Sequence, residues 1–237
     1  MTIGHLLGRV DEAPLLRAQS NLSVNFRPDE VDGTWHHDRQ RWPLGDEGPG
    51  PPEPDGLWET ACRLVEAYEM SDPSTIRAVY ASASPLPGRD LLLEGRFLLL
   101  RFYMGVRVTD VIDEQRGYKR VWGWAYETLE GHVERGRMSY EVVKDEESGR
   151  VDLVITAHSQ GAPSLGPVTT LGWALFGRRT QLRFYRRCGQ RLGRLARERR
   201  GSKRPVPERR TVDGLVLAPS DAVRHRRRLT IRRHQPG

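Results

Sequence analysis

Residues 138–157 read MSYEVVKDEESGRVDLVITA, and this stretch carries the clearest strand pattern of the chain. Tyr140 and Val142 alternate with polar neighbours, which is the period of a strand with one buried face. Residues 145–149 then form a turn that ends on glycine, and the alternation resumes over residues 151–157. A strand, a turn and a second strand with matching apolar positions predict an antiparallel hairpin in a sheet that buries one face.

Further regular segments surround this hairpin. Segments rich in apolar, β-branched or aromatic residues predict strands over residues 76–81, 91–104, 105–112 and 118–126. Apolar residues at helical spacing predict helices over residues 12–21, 56–71 and 169–195. Asp55 is the expected N-cap of the second helix, and Pro73 is expected to end it. Residues 43–56 are rich in proline and glycine and are expected to form a loop.

This order of elements predicts the architecture. Strands followed by a long C-terminal helix indicate an α+β fold, in which a curved antiparallel sheet packs around that helix. We expect one domain over residues 1–195, with its core in residues 57–192. Residues 196–237 are expected to be a basic, disordered tail. An apolar cavity between sheet and helix is a common ligand site in such folds.

Charge is divided unevenly along the chain. Residues 178–237 contain 20 Lys and Arg against 4 Asp and Glu, whereas the first 177 residues contain 18 against 27. Arginine runs at 197–204 and 224–228 would attract phosphate groups without reading a sequence. Non-specific nucleic acid or an anionic surface is therefore one candidate partner of the tail. The other interpretation is a solvated extension with no partner.

Several classes of protein are not indicated. Cys62 and Cys188 have no CxxC spacing and are expected to be reduced thiols on helix faces. No cofactor is expected. A metal site is not expected either, because His36 and His37 are adjacent and would point to opposite faces of a strand. No stretch is long and apolar enough to span a membrane, and no signal peptide is visible, so a cytoplasmic location is expected.

A dense motif precedes the hairpin. Residues 124–136 read WAYETLEGHVERG. Eight of these positions resemble the signature of the domain-of-unknown-function 1990 family, also called uncharacterised protein family 0548, which runs roughly FAYGTLxGHPExGE. The matching positions are Ala125, Tyr126, Thr128, Leu129, Gly131, His132, Glu134 and Gly136.

The resemblance covers about residues 57–192, with departures from the signature. Glu127 stands in place of glycine, Val133 in place of proline, and Arg137 in place of an acidic residue, while Gln160-Gly161 replaces Arg-Pro. The resemblance implies a START-like, helix-grip fold with a cavity for an apolar or amphipathic small molecule. It implies no activity, and fold alone does not give one.

The polar side chains of the motif are the candidate catalytic residues, namely Tyr126, His132 and Glu134. Imidazole titrates near neutrality and a nearby carboxylate would fix its tautomer. In the alternative, structural interpretation, His132 and Glu134 secure a tight turn through hydrogen bonds to the backbone. Candidate ligand-binding residues are Trp122, Trp124, Tyr126, His132 and Tyr140, and the two tryptophans are expected to be core or cavity wall rather than a stacking platform.

Three hypotheses about function follow. The first is a binding module for an apolar or amphipathic small molecule in a cavity between sheet and helix. The second is an enzyme that uses the three polar side chains of the motif in that cavity, which requires them to converge. The third is a nucleic-acid-associated protein that acts through its arginine-rich tail.

Overall fold

The computed structural model describes residues 11–97, 100–132, 134–161, 178–204 and 206–221. The helices are α1 (Glu12–Gln19), α2 (Leu57–Glu66) and α3 (Arg178–Arg199), with a short 3-10 turn at Pro28–Glu30. The strands are β1 (His36–Asp46), β2 (Ile76–Ala81), β3 (Asp90–Phe97), β4 (Leu100–Arg116), β5 (Lys119–Thr128), β6 (Glu134–Asp145), β7 (Arg150–Gly161), β8 (Arg210–Val212) and β9 (Leu215–Ala218).

All of these strands belong to one antiparallel sheet. Its spatial order is β1-β7-β6-β5-β4-β3-β2-β9-β8. The largest apolar cluster joins side chains from one face of this sheet to α2 and α3, and we call this the inner face. Helix α1 packs on the opposite, outer face over β2 and β3. The predicted α+β fold, a sheet packed around the C-terminal helix, is confirmed.

The predicted hairpin forms in the expected register. Tyr140 pairs with Ile155 and Val142 pairs with Leu153, and all four side chains are buried on the inner face. Gly149 closes the turn with a φ of +79°, and a Cβ there would lie 2.1 Å from the carbonyl oxygen of Glu47. Any other residue at 149 would therefore meet both backbone strain and a clash.

Helix α3 lies close against the inner face. Its buried apolar side chains recur at helical spacing, as predicted, and they are Phe184, Tyr185, Cys188, Leu192, Leu195 and Ala196. Gly189 permits close approach to β1, because a Cβ there would lie 2.3 Å from the Cγ atom of Trp42. Both cysteines are buried free thiols on α2 and α3, as the sequence predicts. The predicted first turns of this helix, residues 169–177, lie outside the described residues.

The strand predictions need two corrections. The stretch 91–104 is not one strand, because it contains β3 and the first part of β4, which pair with each other. Residues 43–46 are not loop, because β1 continues through a bulge between Pro43 and Gly45 and pairs with β7 as far as Asp46. A bulge accommodates proline in an edge strand, so composition alone misassigns this segment.

The start and end of α2 also differ from the prediction. Asp55 is not its N-cap, because Gly56 takes that position without a side-chain hydrogen bond. The carboxylate of Glu47 instead accepts a hydrogen bond of 2.7 Å from the backbone nitrogen of Trp58, in the first turn. The helix ends before Pro73, at Glu66, and Tyr68 adopts a left-handed φ of 61°.

A buried ion pair holds Glu47 in place at the start of α2. The Nζ atom of Lys144 on β6 lies 2.7 Å from a carboxylate oxygen of Glu47, and both side chains are completely buried. Lys144 also donates to the carbonyl oxygen of Pro51 at 2.9 Å. The proline- and glycine-rich loop is therefore anchored from inside the fold rather than by its own sequence.

The prediction of a tail that starts at residue 196 is wrong for part of that segment. Helix α3 continues to Arg199, and β9 pairs with β2 with Val216, Leu217 and Ala218 buried. The reason is the short apolar stretch at residues 215–217, which interrupts the basic sequence and pairs as β9 with β2. Residues 222–237, including the run 224–228, lie outside the described part of the chain.

The outer face is closed beside β2 and β3 by a buried ionic cluster. Arg77 contacts Glu94 at 2.5 Å and Glu12 of α1 at 2.6 Å, and Arg96 contacts Glu94 at 2.9 Å. Buried charges persist in proteins when they are paired in this way. The cluster therefore fixes the position at which α1 lies on the sheet.

Two glycines of α3 provide a matched test of its packing. We expect Gly189→Ala to destabilise the protein by about 1–3 kcal/mol, because the new methyl group overlaps Trp42. Gly193→Ala is the control: its new Cβ would lie 3.2 Å from the end of the Arg197 side chain and 3.7 Å, an ordinary contact distance, from Leu44. The gain in helix propensity should therefore leave stability unchanged or raised by up to about 1 kcal/mol. Urea unfolding of both variants measures this, and equal effects would show that close packing of α3 is not required.

Candidate functional site

Four aromatic side chains meet beneath the helices on the inner face. Trp124 and Tyr126 come from β5, Tyr140 comes from β6, and Tyr68 follows α2. Ring centroids of Trp124 and Tyr140 lie 5.3 Å apart, and that of Tyr68 lies 6.1 Å from Trp124 and 6.4 Å from Tyr140. Alternation along β5 and β6 brings the sheet residues together, whereas the left-handed turn after α2 brings Tyr68. We call these four side chains the aromatic cluster.

The polar atoms of the aromatic cluster are unequally satisfied. The indole nitrogen of Trp124 donates to the carbonyl oxygen of Val65 at 3.1 Å, and the hydroxyl of Tyr126 contacts the sulfur of Met138 at 3.4 Å. The buried hydroxyls of Tyr68 and Tyr140 interact with each other, that of Tyr68 also with Ser71 and that of Tyr140 also with Tyr126, but none of these contacts has the geometry of a normal hydrogen bond. The two hydroxyls are therefore only weakly satisfied, which is uncommon inside folded proteins.

Burial sets the protonation state of these tyrosines. Desolvation raises the pKa of Tyr68, Tyr126 and Tyr140 well above the ordinary value of tyrosine. All three therefore remain neutral at physiological pH and keep their hydroxyl protons. They can donate hydrogen bonds to an acceptor that enters the interior.

Trp122 packs against the main core and is not part of the aromatic cluster. It shares the inner face with Trp124, as the spacing predicts, and packs against the main core while remaining partly exposed. Trp124 is 1% exposed, so neither ring is arranged as an open stacking platform together with the other.

His132 closes the turn between β5 and β6. Its Nδ1 atom accepts a hydrogen bond of 2.9 Å from the backbone nitrogen of Glu134, and the residue is 6% exposed. Burial lowers the pKa of His132 to about 4, so that the imidazole is neutral at physiological pH. This hydrogen bond ties His132 to the backbone of the turn, which is the contact that the structural interpretation of the residue requires.

Glu134 stands at the first position of β6, on the same face as Tyr140. Desolvation raises the pKa of its carboxyl group to about 8, although part of the residue remains accessible. The carboxyl group is therefore largely protonated at neutral pH and can donate a hydrogen bond. Its charged form also raises the pKa of Tyr126, which indicates that the two groups are near each other.

The structure thus brings some of the candidates together and separates others. Tyr126, Tyr140, Trp124 and Glu134 share the inner face, whereas the Nδ1 atom of His132 is committed to the turn. Sequence reasoning missed Tyr68, because nothing in its local pattern shows that the chain after α2 turns inward. The only signal in the sequence was that Tyr68 falls among the apolar positions of the helix predicted over residues 56–71.

Within the ranges that the structure describes, no group of three or more His, Cys, Asp or Glu side chains could hold a metal ion. Likewise, no helix in the described part of the chain is both long and apolar enough to cross a membrane.

The sheet gripping its C-terminal helix defines a protein of the helix-grip class. The chain belongs to the family described as domain of unknown function (DUF1990), whose model matches residues 22–191. The resemblance seen in residues 124–136 is thereby confirmed.

Two solved structures are similar to the chain. One is the crystal structure of Ara h 8.0201, with a TM-score of 0.39 and 12% identity over 69% of this chain and 99% of that one. The other is a hypothetical protein from Helicobacter pylori, with a TM-score of 0.44 and 10% identity over 73% of this chain and 96% of that one. No curated protein matches the chain.

The depressed pKa of His132 predicts a pH effect on stability. Between about pH 4 and pH 6.5 the unfolded chain binds a proton at His132 that the folded chain excludes, so this contribution to stability is lost as the pH falls through that window. His132→Asn keeps an acceptor near the position of Nδ1 but does not titrate. The difference in unfolding free energy between wild type and variant should therefore change by up to about 3 kcal/mol across the window. A constant difference would show that His132 titrates normally.

Glu134 predicts the opposite trend at higher pH. Its raised folded pKa means that the folded state retains a proton that the unfolded state releases, so stability falls as the pH rises from about 4.5 to about 8. Above the range in which His132 titrates, from about pH 6.5 to 8, the wild type should lose about 1 kcal/mol relative to Glu134→Gln. Thermal unfolding at several pH values tests this, and parallel curves would contradict a buried carboxyl group.

Proposed function

We propose that this protein binds an apolar or amphipathic small molecule between the inner face of the sheet and α3. The observation that carries the proposal is the group of buried hydroxyls of Tyr68, Tyr126 and Tyr140, of which those of Tyr68 and Tyr140 have only weak contacts with neighbouring hydroxyls. A buried hydroxyl that lacks a good partner costs up to about 1–3 kcal/mol. A polar atom of a bound molecule would give these hydroxyls a better partner.

The surrounding groups indicate the chemistry of the ligand. The tyrosine hydroxyls and the protonated carboxyl group of Glu134 are neutral donors, which suit a carbonyl, ether or hydroxyl oxygen. The rings of the aromatic cluster offer apolar contact for a ring or alkyl body. The ligand is therefore expected to have an apolar body and an uncharged, oxygen-bearing head. A cytoplasmic location remains part of the proposal.

Catalysis by Tyr126, His132 and Glu134 acting together has less support. General base catalysis by His132 would need a free ring nitrogen of suitable pKa, and its Nδ1 atom already accepts the Glu134 backbone hydrogen bond. The low pKa of His132 also leaves it a weak base. The aromatic cluster with Glu134 is better suited to holding a molecule than to transforming it.

Binding of nucleic acid through the basic C-terminal region also has less support. Many arginines in residues 178–200 are already engaged within the protein: Arg187 with Asp72, Arg191 with Asp221, Arg194 with Glu198, Arg197 with the carbonyl of Leu44, and Arg200 with Glu53. A phosphate would have to displace these contacts. The basic surplus of this helix therefore overstates the charge available to a partner.

Removing one hydroxyl tests the binding proposal. Tyr140→Phe should weaken binding of an oxygen-bearing ligand by about five- to ten-fold, because one hydrogen bond to the head group is lost. Organic extraction of the purified wild-type protein followed by mass spectrometry should find a compound in near-stoichiometric amount. The same extraction from Tyr140→Phe should recover less of it.

The matched control is Tyr118→Phe, whose side chain lies in the exposed turn between β4 and β5 and is 68% exposed. This variant should retain as much compound as the wild type. If no compound is retained and Tyr140→Phe unfolds at a higher temperature than wild type, the hydroxyl is an unsatisfied group in a packed core, and the proposal is wrong.

A further inference from the structure

A groove lies on the outer face of the sheet, opposite the face that carries the aromatic cluster. Its volume is about 520 Å³, and it opens to solvent. One wall is apolar and comes from the segment that precedes β1, while the floor comes from β1, β6 and β7. The lining residues are Phe26, Pro28, Val31, His37, Arg137 and His158.

The floor of the groove is a row of basic side chains in register. His37 on β1 lies directly opposite His158 on β7, and His158 lies opposite Arg137 on β6. The two imidazole rings touch edge to face, with centroids 4.0 Å apart. Like charges in directly opposed positions of an antiparallel sheet repel each other. The histidines of this row are therefore unfavourable next to Arg137 only when they are protonated, and an anion over the row would favour that form.

The protein neutralises only one end of this row. Arg137 contacts Glu127 at 2.9 Å and Asp110 at 2.6 Å, and both contacts use its Nη1 atom. For Nη2 of Arg137 and for the buried Nδ1 of His158, no hydrogen bond is found among the residues described. On the wall segment, Glu30 is bound by Arg135 and Asp29 is exposed. All three basic side chains of the row line the groove.

The electrostatics of His158 agree with this geometry. Desolvation, followed by the positive charges of His37 and Arg137, lowers the pKa of His158 below its ordinary value. An anion in the groove would offset these charges and favour a proton on His158. Binding and protonation would therefore reinforce each other.

We propose that this groove is a second binding site, which takes a small organic oxyanion with a flat apolar body. The carboxylate, sulfate or phosphate group would lie over His37, His158 and the free edge of Arg137, where protonated imidazoles and guanidinium give charge-assisted hydrogen bonds. The apolar body would lie against Phe26, Pro28 and Val31. This proposal does not depend on ligand binding at the inner face.

Phenyl sulfate is a suitable probe for the full-length protein, because its own charge does not change with pH in this range. Calorimetric titration should show binding that tightens by about ten-fold from about pH 8 to about pH 5.5, because the anion favours the protonated form of His158. Inorganic sulfate and phenol should each bind at least about ten-fold more weakly, because each lacks one half of the interaction. Equal affinity for inorganic sulfate would overturn the apolar part of the proposal.

Paired histidine variants assign the site. His37→Gln and His158→Gln should each weaken binding of phenyl sulfate by about ten-fold or more, and His158→Gln should also flatten its pH dependence. His36→Gln is the matched control, because this exposed neighbour lies on the other face of β1, and it should bind like wild type. His37 is itself exposed, so its variant should fold even if His158→Gln does not. Unchanged binding in His37→Gln, or no binding by wild type, would refute the site.

Discussion

The whole fold depends on closing one face of a wide antiparallel sheet. The inner-face side chains of β1 to β7 and β9 form one apolar cluster, and α2 and α3 are the elements that cover it. Helix α3 can do so only because Gly189 lets its backbone approach Trp42. A sheet with an open apolar face tends to associate with other chains. The sheet therefore needs α2 and α3 to cover its inner face.

Polar contacts complete what apolar burial begins. The carboxylate of Glu47 joins the loop after β1, the start of α2 and Lys144 on β6, although these segments are far apart in the chain. Breaking such a buried pair leaves an uncompensated charge and costs about 3–5 kcal/mol. The pair therefore specifies where α2 sits, and with it the position of Tyr68 in the aromatic cluster.

The two faces of the same strands serve two different chemistries. On β6, Tyr140 points inward to the aromatic cluster, whereas Arg137 points outward to the groove. Burial on the inner face disfavours charge, and the raised pKa of Glu134 agrees with this. The outer groove gathers basic groups that remain in reach of water. One alternating strand can therefore support an uncharged ligand on one side and an anion on the other.

The sequence by itself determined the local patterns. Alternation places Trp124 and Tyr126 on one face and predicts the hairpin over residues 138–157, because strand periodicity is a property of neighbouring residues. Which distant segments meet depends on the tertiary structure. In it, β9 pairs with β2, and Glu47 rather than Asp55 accepts a hydrogen bond from the first turn of α2. His132 accepts a hydrogen bond from the backbone nitrogen of Glu134, and His37 lies beside His158. Such contacts depend on strand order and helix placement, which are set by the burial of whole faces rather than by any local spacing.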